Sequence, residues 1–295
     1  MLGNCCGRRT VHVVEPLPEE IAQHYEYEID EGVRITEGFG QLELVRTQAV
    51  IRPHLSGGPL SIIDIGGGTG VHAAWLAEDG HAVHVIDPVP RHVENARDLS
   101  NRHRQITAEV GDARQLPADD ETFDAALVLG PLYHLTDREE RLKALGEARR
   151  VVRPGGKLFV AAVSRFASLF YGLSRESLFD SNFRRIVERD LADGQHRNPE
   201  RRPHWFTTAY FHHPDEFQHE AEAAELDVIG VMGSRVSRDG FPILPLAGQT
   251  HIAERRSYIR LKQSKTSRRF LDSAHTSSSS RNGRRTTDVQ PEVKS

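Results

Sequence analysis

Cysteine is scarce in this chain, and the two that occur stand side by side. The 295 residues contain only Cys5 and Cys6, and adjacent cysteines provide neither a disulfide framework nor the spacing of a zinc site. Two ordinary thiols are the prediction, and a vicinal redox pair is the alternative. The sequence has no apolar run approaching the ~20 residues of a membrane-spanning helix, and its first residues lack the apolar core of a secretory signal. We therefore expect a cytoplasmic protein with no membrane span and no metal site.

Two common phosphate-binding motifs are also missing. The dinucleotide fingerprint needs glycines at the first, third and sixth positions of its turn, but the sixth position counted from Gly66 is Val71. A P-loop needs Lys-Ser or Lys-Thr after its glycines, and neither pair follows Gly70. The glycine-rich segment is therefore not predicted to hold a pyrophosphate, which disfavours an NAD-dependent or nucleotide-sugar enzyme.

That segment is nevertheless the most informative part of the chain. Leu60–Ile65 is a short apolar, β-branched run, which is typical of a strand buried on both faces. The turn after it holds Gly66, Gly67, Gly68 and Gly70. Glycines allow a tight turn and the close approach of a ligand to the backbone, and a helical pattern follows at once. Strand, turn and helix together predict a nucleotide site at the carboxyl edge of a doubly wound α/β sheet. A βα turn without a ligand is the alternative.

Two acidic residues flank this predicted site. Asp64 stands just ahead of the glycines, where its carboxylate would repel a pyrophosphate but suits a ligand with an ammonium group. Asp87 ends the next buried strand, and an acid about twenty residues beyond the glycines is placed to accept hydrogen bonds from both hydroxyls of a ribose. Because Pro88 and Pro90 follow, an N-cap of the next helix is the alternative role for Asp87.

The pattern Asp64-x-Gly66-x-Gly68-x-Gly70 resembles the first motif of class I S-adenosylmethionine (SAM)-dependent methyltransferases, whose cofactor carries an amino-acid tail and a sulfonium but no phosphate. Later segments resemble the same family in the same order: Gly111-Asp112-Ala113, the stretch from Leu116-Pro117 to Phe123-Asp124, and the turn Val152-Arg153-Pro154-Gly155-Gly156. They are similar to the ubiquinone and menaquinone biosynthesis type, with methyltransferase domains of types 11 and 25. The resemblance covers about residues 60 to 163 and five predicted βα units.

The resemblance implies a fold and a set of cofactor contacts. The fold is a doubly wound, Rossmann-like, mostly parallel sheet with N-terminal lid helices and a helical cap insertion. SAM is the implied cofactor, with Asp112 on the exocyclic amine of its adenine and the backbone amide of Ala113 on a ring nitrogen; a simple turn cap is the alternative for Asp112. The predicted cofactor-binding residues are Asp64, Gly66, Gly67, Gly68, Gly70, Asp87, Asp112, Ala113, Leu129 and Gly130.

The predicted methyl-acceptor side is less well marked. Tyr133 and His134 follow the fourth strand, where a general base would act, and a packing role for His134 is the alternative. On the N-terminal helices, Tyr25, Arg34 and Arg46 are candidates for lid contacts, with surface or packing roles as the alternative. The aromatic residues of segment 164–212 predict either an apolar cap over the active site or the core of a small helical subdomain.

The chain is predicted to begin with a flexible N-terminus at 1–16 and lid helices at 17–56. A methyltransferase domain follows at 57–235, with a cap insertion at about 164–212. The chain is predicted to end with an uncertain C-terminal edge at 236–262 and a disordered basic tail at 263–295. Within the lid, we expect helices over Pro18–Asp30 and Gly40–Leu55, the second with apolar positions at Leu42, Val45, Ala49 and Ile51. The pair His212-His213 predicts the start of a helix rather than a metal site, because no third ligand stands at a suitable spacing. Ser257–Leu261 is the best candidate for the last strand of the sheet.

Charge is distributed unevenly along the chain. The residues from Glu254 to Ser295 include eleven Lys or Arg and four acids. The rest of the chain therefore carries −11 against a total of −4. This acidic body argues against nucleic acid at the main site. A contact of the basic tail with nucleic acid or an anionic surface is an alternative to a solvated extension.

These observations predict an enzyme that transfers the methyl group of SAM to a small-molecule acceptor by in-line displacement. An activated ring carbon, an amine and a phenol are all compatible methyl acceptors, and no oligomeric state is predicted. A catalytically silent SAM-binding regulator with the same fold is the first alternative. Another Rossmann-type nucleotide-dependent enzyme is the second.

Overall fold

The computed structural model of the protein describes residues 18–25, 31–37, 39–202, 205–235 and 254–263. Its strands are β1 (Ser61–Ile65), β2 (Ala82–Asp87), β3 (Ile106–Val110), β4 (Phe123–Val128), β5 (Val152–Ser164), β6 (Gln195–His196), β7 (Ala209–His212), β8 (Leu226–Arg235) and β9 (Glu254–Gln263). The first five form a parallel sheet in the order β3-β2-β1-β4-β5. The chain reverses direction across the sheet after β3, which creates a crevice at the carboxyl ends of β1 and β4.

Helices cover both faces of this sheet. They are α1 (Glu19–Gln23), α2 (Glu31–Thr36), α3 (Phe39–Ile51), α4 (Val71–Glu78), α5 (Pro90–Asp98), α6 (Arg138–Val151), α7 (Ala167–Ser174), α8 (Ser181–Asp193) and α9 (Pro214–Ala223). Successive residues of a strand point to opposite faces. Ile62 of β1 accordingly joins a core cluster with Leu76 of α4, whereas Ile63 joins a second cluster with Leu145 of α6 and Phe217 of α9. The predicted doubly wound α/β sheet is confirmed.

The far edge of the sheet contains antiparallel strands. β9 pairs with β5, with Leu261 opposite Leu158, and β8 pairs with β9. The strand expected at Ser257–Leu261 is therefore present as part of β9. The short strand β7 adds two parallel pairs at the end of β5, and β6 pairs antiparallel with β7.

The N-terminal helices are shorter than predicted. The helix expected over Pro18–Asp30 is α1, which ends at Gln23, and residues 26–30 lie outside the described residues. The helix expected over Gly40–Leu55 is α3 followed by a 3₁₀ turn at Arg52–His54, because Pro53 supplies no backbone N–H for a continuing α-helix. The predicted flexible N-terminus at 1–16 and the tail beyond Gln263 also lie outside the described residues.

The face that α3 turns inward differs from the prediction. Leu42 and Val45, expected as apolar core positions, are exposed, whereas Glu43 and Thr47 are buried. Their polar groups have partners: Glu43 Oε2 accepts a hydrogen bond from Arg34 Nη1 at 3.3 Å, and the Thr47 hydroxyl donates to the Glu43 carbonyl at 2.8 Å. Hydrogen bonding offsets the cost of burying these polar groups. The apolar-face prediction for α3 was therefore wrong at Leu42, Val45 and Ala49, which are exposed, and held only at Ile51, which is buried.

The insertion at 164–212 contains α7, α8 and the β6–β7 hairpin. Some of its aromatic residues form the core of a small subdomain, since the Phe183 ring lies 5.8 Å from Tyr171 and 5.1 Å from Trp205. Phe179 is 84% exposed. Phe206, in contrast, packs against the loop after β4. The aromatic residues thus form a subdomain core in one part of the insertion, and an apolar cap over the active site stays a prediction.

Candidate functional site

The glycine turn after β1 has a backbone that only glycine fits. Gly66 and Gly68 have φ values of 68° and 57°, in the left-handed region that side chains disfavour. A Cβ on Gly66 would lie 2.6 Å from Pro131 Cδ, and a Cβ on Gly67 would lie 2.7 Å from the Asp64 carboxyl group. The turn is fastened to β2, since the backbone N–H of Gly66 donates to the Ile86 carbonyl at 2.7 Å. These residues form a backbone cradle at the carboxyl end of β1.

Asp64 lies beneath this cradle and does not line the cavity above it. Its side chain is buried, and its Oδ2 atom has no hydrogen-bond partner within the described part of the chain. Burial, and then the charge of Asp87, raise the pKa of Asp64 to about 7. A contact between Asp64 and an ammonium group of a ligand stays a prediction.

A cavity of about 820 Å³, a volume that includes space open to solvent, lies above the cradle. One end is lined by Gly66, Gly68, Asp87, Pro88, Val89, His92, Gly111, Asp112, Ala113, Arg114 and Gly130, and the other by Pro18, Ile21, Tyr25, Pro131, Tyr133, His134 and Leu135. Six of the ten predicted cofactor-binding residues and both predicted catalytic residues are thus brought together. Asp64, Gly67, Gly70 and Leu129 are not part of the lining.

Asp87 is held rigidly at the end of β2. Its Oδ2 atom accepts a hydrogen bond from the Gly68 backbone N–H at 2.9 Å, and Oδ1 accepts one from the Val89 N–H at 2.9 Å. The Nδ1 atom of His92 lies 3.1 Å from Oδ1. Val89, rather than Asp87, is the N-cap of α5, so the structure does not support the helix-cap alternative for Asp87.

The sequence and the fold both have known relatives. A family model described as a methyltransferase domain matches residues 62–156. The chain is 36% identical over 115 residues to a demethylmenaquinone methyltransferase of Tropheryma whipplei, a match that covers 38% of this chain and 46% of that protein. It is 37% identical over 117 residues to a ubiquinone biosynthesis O-methyltransferase of Methylocella silvestris, covering 38% and 43%. This chain carries a methyltransferase domain. The chain spans less than half the length of these two curated relatives.

Solved methyltransferase structures share the fold of this domain. The 1,6-didemethyltoxoflavin-N1-methyltransferase of Burkholderia thailandensis, solved with S-adenosylhomocysteine, has a TM-score of 0.54 at 17% identity and covers 85% of this chain and 93% of its own. A SAM-dependent methyltransferase of Methanosarcina mazei has a TM-score of 0.53 at 17% identity, covering 72% and 96%. At these identities the likeness shows the fold alone. The domain model that matches residues 62–156 agrees with the predicted resemblance to SAM-dependent methyltransferases.

The predicted adenine contact of the methyltransferase domain has a partner that sequence reasoning missed. Arg114 forms a bidentate ion pair with Asp112: Nε donates to Oδ1 and Nη2 donates to Oδ2, each at 2.8 Å. Arg114 Nη1 also donates to Glu140 at 2.8 Å. The hydrogen bond to Asp112 raises the pKa of Arg114 although burial opposes it. Arg114 thereby fixes the orientation of the carboxylate beside the cavity.

His134 is connected to the N-terminal segment across the cavity. Its Nε2 atom lies 2.7 Å from the Tyr25 hydroxyl, and its Nδ1 atom lies 3.3 Å from the Thr208 carbonyl oxygen. A carbonyl only accepts, so Nδ1 carries the proton, and Nε2 accepts the hydrogen bond from Tyr25. Phe206 stacks on the His134 ring at 5.8 Å. Tyr25 was predicted as a lid contact, but no sequence signal linked Thr208 or Phe206 to this histidine.

A buried ion pair anchors the loop that holds His134. Arg141 of α6 is 2% exposed, and its Nη2 atom lies 2.6 Å from Oε1 of Glu220 on α9. Its Nη1 atom donates to the carbonyls of Leu135 and Thr136 at 2.9 and 3.1 Å. Burial alone would raise the pKa of Glu220, but hydrogen bonds from Arg141 and His212 lower it to about 2. Arg141 therefore acts on the site through the loop and was also missed in the sequence.

Several predicted site residues have packing or capping roles. Gly70, with φ of 82°, is the N-cap of α4, and a Cβ there would lie 2.8 Å from Leu99. Leu129 is buried in the core cluster that contains Ile62. His213 caps α9. The residues that the structure describes contain no cluster of three or more metal-ligating side chains, and none of their helices is long and apolar enough to cross a membrane.

The two N-terminal arginines lie away from the cavity lining. Arg34 pairs with Glu43 at 3.3 Å, and Arg46 is exposed on α3. Of the three predicted lid contacts, only Tyr25 lines the cavity.

Proposed function

We propose that this protein transfers the methyl group of SAM to a small-molecule acceptor. One observation carries the proposal: a single cavity runs from the glycine cradle, Asp87 and Asp112 to His134. A cofactor at the first end and a methyl acceptor at the second would therefore share one cavity. The names of the two curated relatives, which refer to demethylmenaquinone and ubiquinone biosynthesis, support a small molecule as the acceptor.

The residues at the first end fit SAM. Gly66 and Gly68 both line the cavity, and a Cβ on Gly66 would press against Pro131 of the cavity wall. We assign Asp87 to the ribose, and Asp112 with the backbone amide of Ala113 to the adenine. When bound, SAM supplies an electrophilic methyl group, so the protein's main task is to hold the methyl acceptor in line with it. Good alignment of two reactants lowers a barrier by up to ~7–11 kcal/mol.

His134 is the group that we assign to proton removal from the methyl acceptor. Because Nδ1 donates to Thr208, the lone pair of Nε2 faces the cavity, where the Tyr25 hydroxyl now occupies it. A hydroxyl or amine that takes the place of the Tyr25 hydroxyl would transfer its proton to Nε2 as it attacks the methyl group. The rings of Tyr133 and Phe206 pack against the His134 ring, at 4.6 and 5.8 Å between centroids, and hold it in place.

The test is incubation of the full chain with methyl-labelled SAM and small-molecule extracts, followed by product identification by mass spectrometry. We expect one labelled small molecule together with S-adenosylhomocysteine. The matched variant Asp87→Ala should fold, bind S-adenosylhomocysteine weakly and give little product. Binding of S-adenosylhomocysteine without any labelled product would favour a silent SAM-binding regulator instead. Absence of both binding and product would refute the proposal.

A further inference from the structure

His92 is a buried cavity residue for which neither the sequence motifs nor the proposed function provides a role. It lies in the first turn of α5 and is only 3% exposed. It lines the cavity next to Asp87, whose Oδ1 atom is 3.1 Å from His92 Nδ1. On its other side, the Tyr25 ring meets the His92 ring edge-on, with 5.8 Å between centroids. His92 thus lies between the predicted ribose carboxylate and the N-terminal segment.

The hydrogen bond to Asp87 determines which nitrogen of His92 carries a proton. The Asp87 carboxylate already accepts from two backbone N–H groups, and an ionised carboxylate only accepts hydrogen bonds. Nδ1 of His92 must therefore be the donor, and in the neutral ring Nε2 is left with a lone pair. Nε2 is an acceptor that requires an O–H or N–H group.

That acceptor has no partner in the described part of the chain. Nε2 of His92 is buried and makes no hydrogen bond there, and burying an unsatisfied polar atom is unfavourable. In the same part of the chain, buried side-chain atoms without a hydrogen-bond partner also occur on Asp64, Asp190 and His212. None of those residues lines the cavity. His92 is the cavity-lining residue whose polar atom is left for a ligand to satisfy.

We propose that His92 is a second ribose-binding residue: Nδ1 orients Asp87, and Nε2 accepts a hydrogen bond from one ribose hydroxyl of the cofactor. This inference rests on the proposed function, because it takes SAM as the ligand. The ribose hydroxyls are the donors that SAM would bring next to Asp87, while its adenine amine is assigned to Asp112. Asp87 and His92 would together recognise the two neighbouring hydroxyls, so the site would discriminate against cofactors that lack either one.

Calorimetric binding of S-adenosylhomocysteine tests this role without a methyl acceptor. His92→Phe removes both polar atoms. His92→Asn keeps a donor near Asp87 but has no atom that reaches the position of Nε2. Each variant should bind about three- to tenfold more weakly than the wild type, as expected for one hydrogen bond between uncharged groups. His81→Phe, at a buried histidine outside the cavity, is the matched control and should bind as the wild type does.

The 2′-deoxy and 3′-deoxy analogues of S-adenosylhomocysteine identify the hydroxyl. For one analogue, the wild type and His92→Asn should bind equally within twofold, because the partner of Nε2 is already absent. For the other, the loss caused by the variant should persist. An equal loss for all three ligands would show a purely structural role and overturn the inference. Unchanged affinity of His92→Asn for S-adenosylhomocysteine would also overturn it.

The two proposals fail in different ways. If the wild type binds no S-adenosylhomocysteine, the proposed function fails and this inference fails with it. If the wild type binds and the His92 variants bind equally well, only this inference is refuted. If His92→Phe does not fold, the wild type itself still provides a test, because equal affinity for S-adenosylhomocysteine and both deoxy analogues would exclude a hydrogen bond to either hydroxyl.

Discussion

The two ends of the cavity are built in different ways. The cofactor end is formed by short turns that each follow a parallel strand, such as Gly66–Gly70 after β1 and Asp87 at the end of β2. The end that we propose for the methyl acceptor combines the N-terminal segment with the loop after β4, and Phe206 and Thr208 of the insertion contact His134 of that loop. Its central hydrogen bond joins Tyr25 to His134, 109 positions apart in the sequence. The geometry of the cofactor end is determined by the sheet. The geometry of the other end depends on how segments that are distant in the sequence pack together.

This difference leads us to expect that the two ends of the cavity can vary independently of each other. The cofactor end is fixed by backbone geometry and by residues that the strands place automatically. The other end uses side chains from segments that can change without altering the sheet, such as Phe206 and Thr208 of the insertion. We therefore expect substitutions at one end to leave the other largely unaffected, and the following predictions test that separation.

The largest expected effect is at the methyl-acceptor end. His134→Phe keeps a ring between Tyr133 and Phe206 but removes the atom assigned to proton transfer. The rate at which the methylated product forms, measured by mass spectrometry, should fall by about 10²–10⁴-fold. This is the usual contribution of general acid–base catalysis. Calorimetric affinity for S-adenosylhomocysteine should stay within twofold of the wild type. Tyr25→Phe, which removes only the hydrogen bond to His134, is the matched control and should have a much smaller effect on the rate.

Equal losses of rate and cofactor affinity in His134→Phe would contradict the separation of the two ends. An unchanged rate would show that the methyl acceptor needs no proton removal by this histidine, leaving His134 with the packing role that the sequence also allowed.

The buried pair of Arg141 and Glu220 should dominate the stability of the methyl-acceptor end. Arg141→Ala leaves Glu220 buried without its partner, so the free energy of unfolding in urea should fall by about 3–5 kcal/mol. Arg149→Ala on the same helix breaks a more exposed pair with Glu225 and should cost less, since partly exposed ion pairs contribute about 1 kcal/mol or less. Similar losses for the two variants would show that the buried pair adds no special stability to the loop.

The cofactor end was largely predictable because its signals are local. A β-branched run before the glycines indicates a buried strand, and the left-handed φ values of Gly66 and Gly68 are the conformations that glycine makes accessible. The placement of Asp87 at the end of β2 follows from the spacing of a βαβ unit. In contrast, neither Arg114 beside Asp112 nor His92 beside Asp87 was predicted, because side-chain pairing depends on rotamers and on packing around the cavity.

The methyl-acceptor end and the lid were less predictable because they depend on distant contacts. The inward face of α3 was misjudged, since the burial of Glu43 depends on Arg34 from a neighbouring helix. Nothing local to His134 indicates that Thr208 fixes its tautomer. The last strand was placed only loosely, because the charged residues around Ser257–Leu261 conceal its position beside β5.

Asp64 should make the stability of the cofactor end depend on pH. Its pKa is about 7 in the folded protein against 3.8 for an ordinary aspartate, so the folded state binds more protons than the unfolded state between these values. The contribution of Asp64 to the free energy of unfolding is therefore fully present below about pH 4 and is lost as the pH rises through 7. The free energy of unfolding falls over this range by at most ~1.4 kcal/mol per pH unit. Asp64→Asn should remove that slope from urea unfolding curves. Parallel pH profiles for the two proteins would contradict the raised pKa.

The smallest effect is expected for alanine substitutions at two glycines that both have positive φ. Gly66 and Gly80 both have positive φ, 68° and 92°, but a Cβ on Gly80 meets no atom within 4 Å. Alanine at either position should cost about 1 kcal/mol or more of backbone strain, measured as a lower free energy of unfolding. Only Gly66→Ala, which also pushes against Pro131 in the cavity wall, should weaken S-adenosylhomocysteine binding, by about tenfold or 1.4 kcal/mol. If Gly80→Ala weakened binding equally, general destabilisation would explain the loss, and the cradle would have no special part in holding the cofactor.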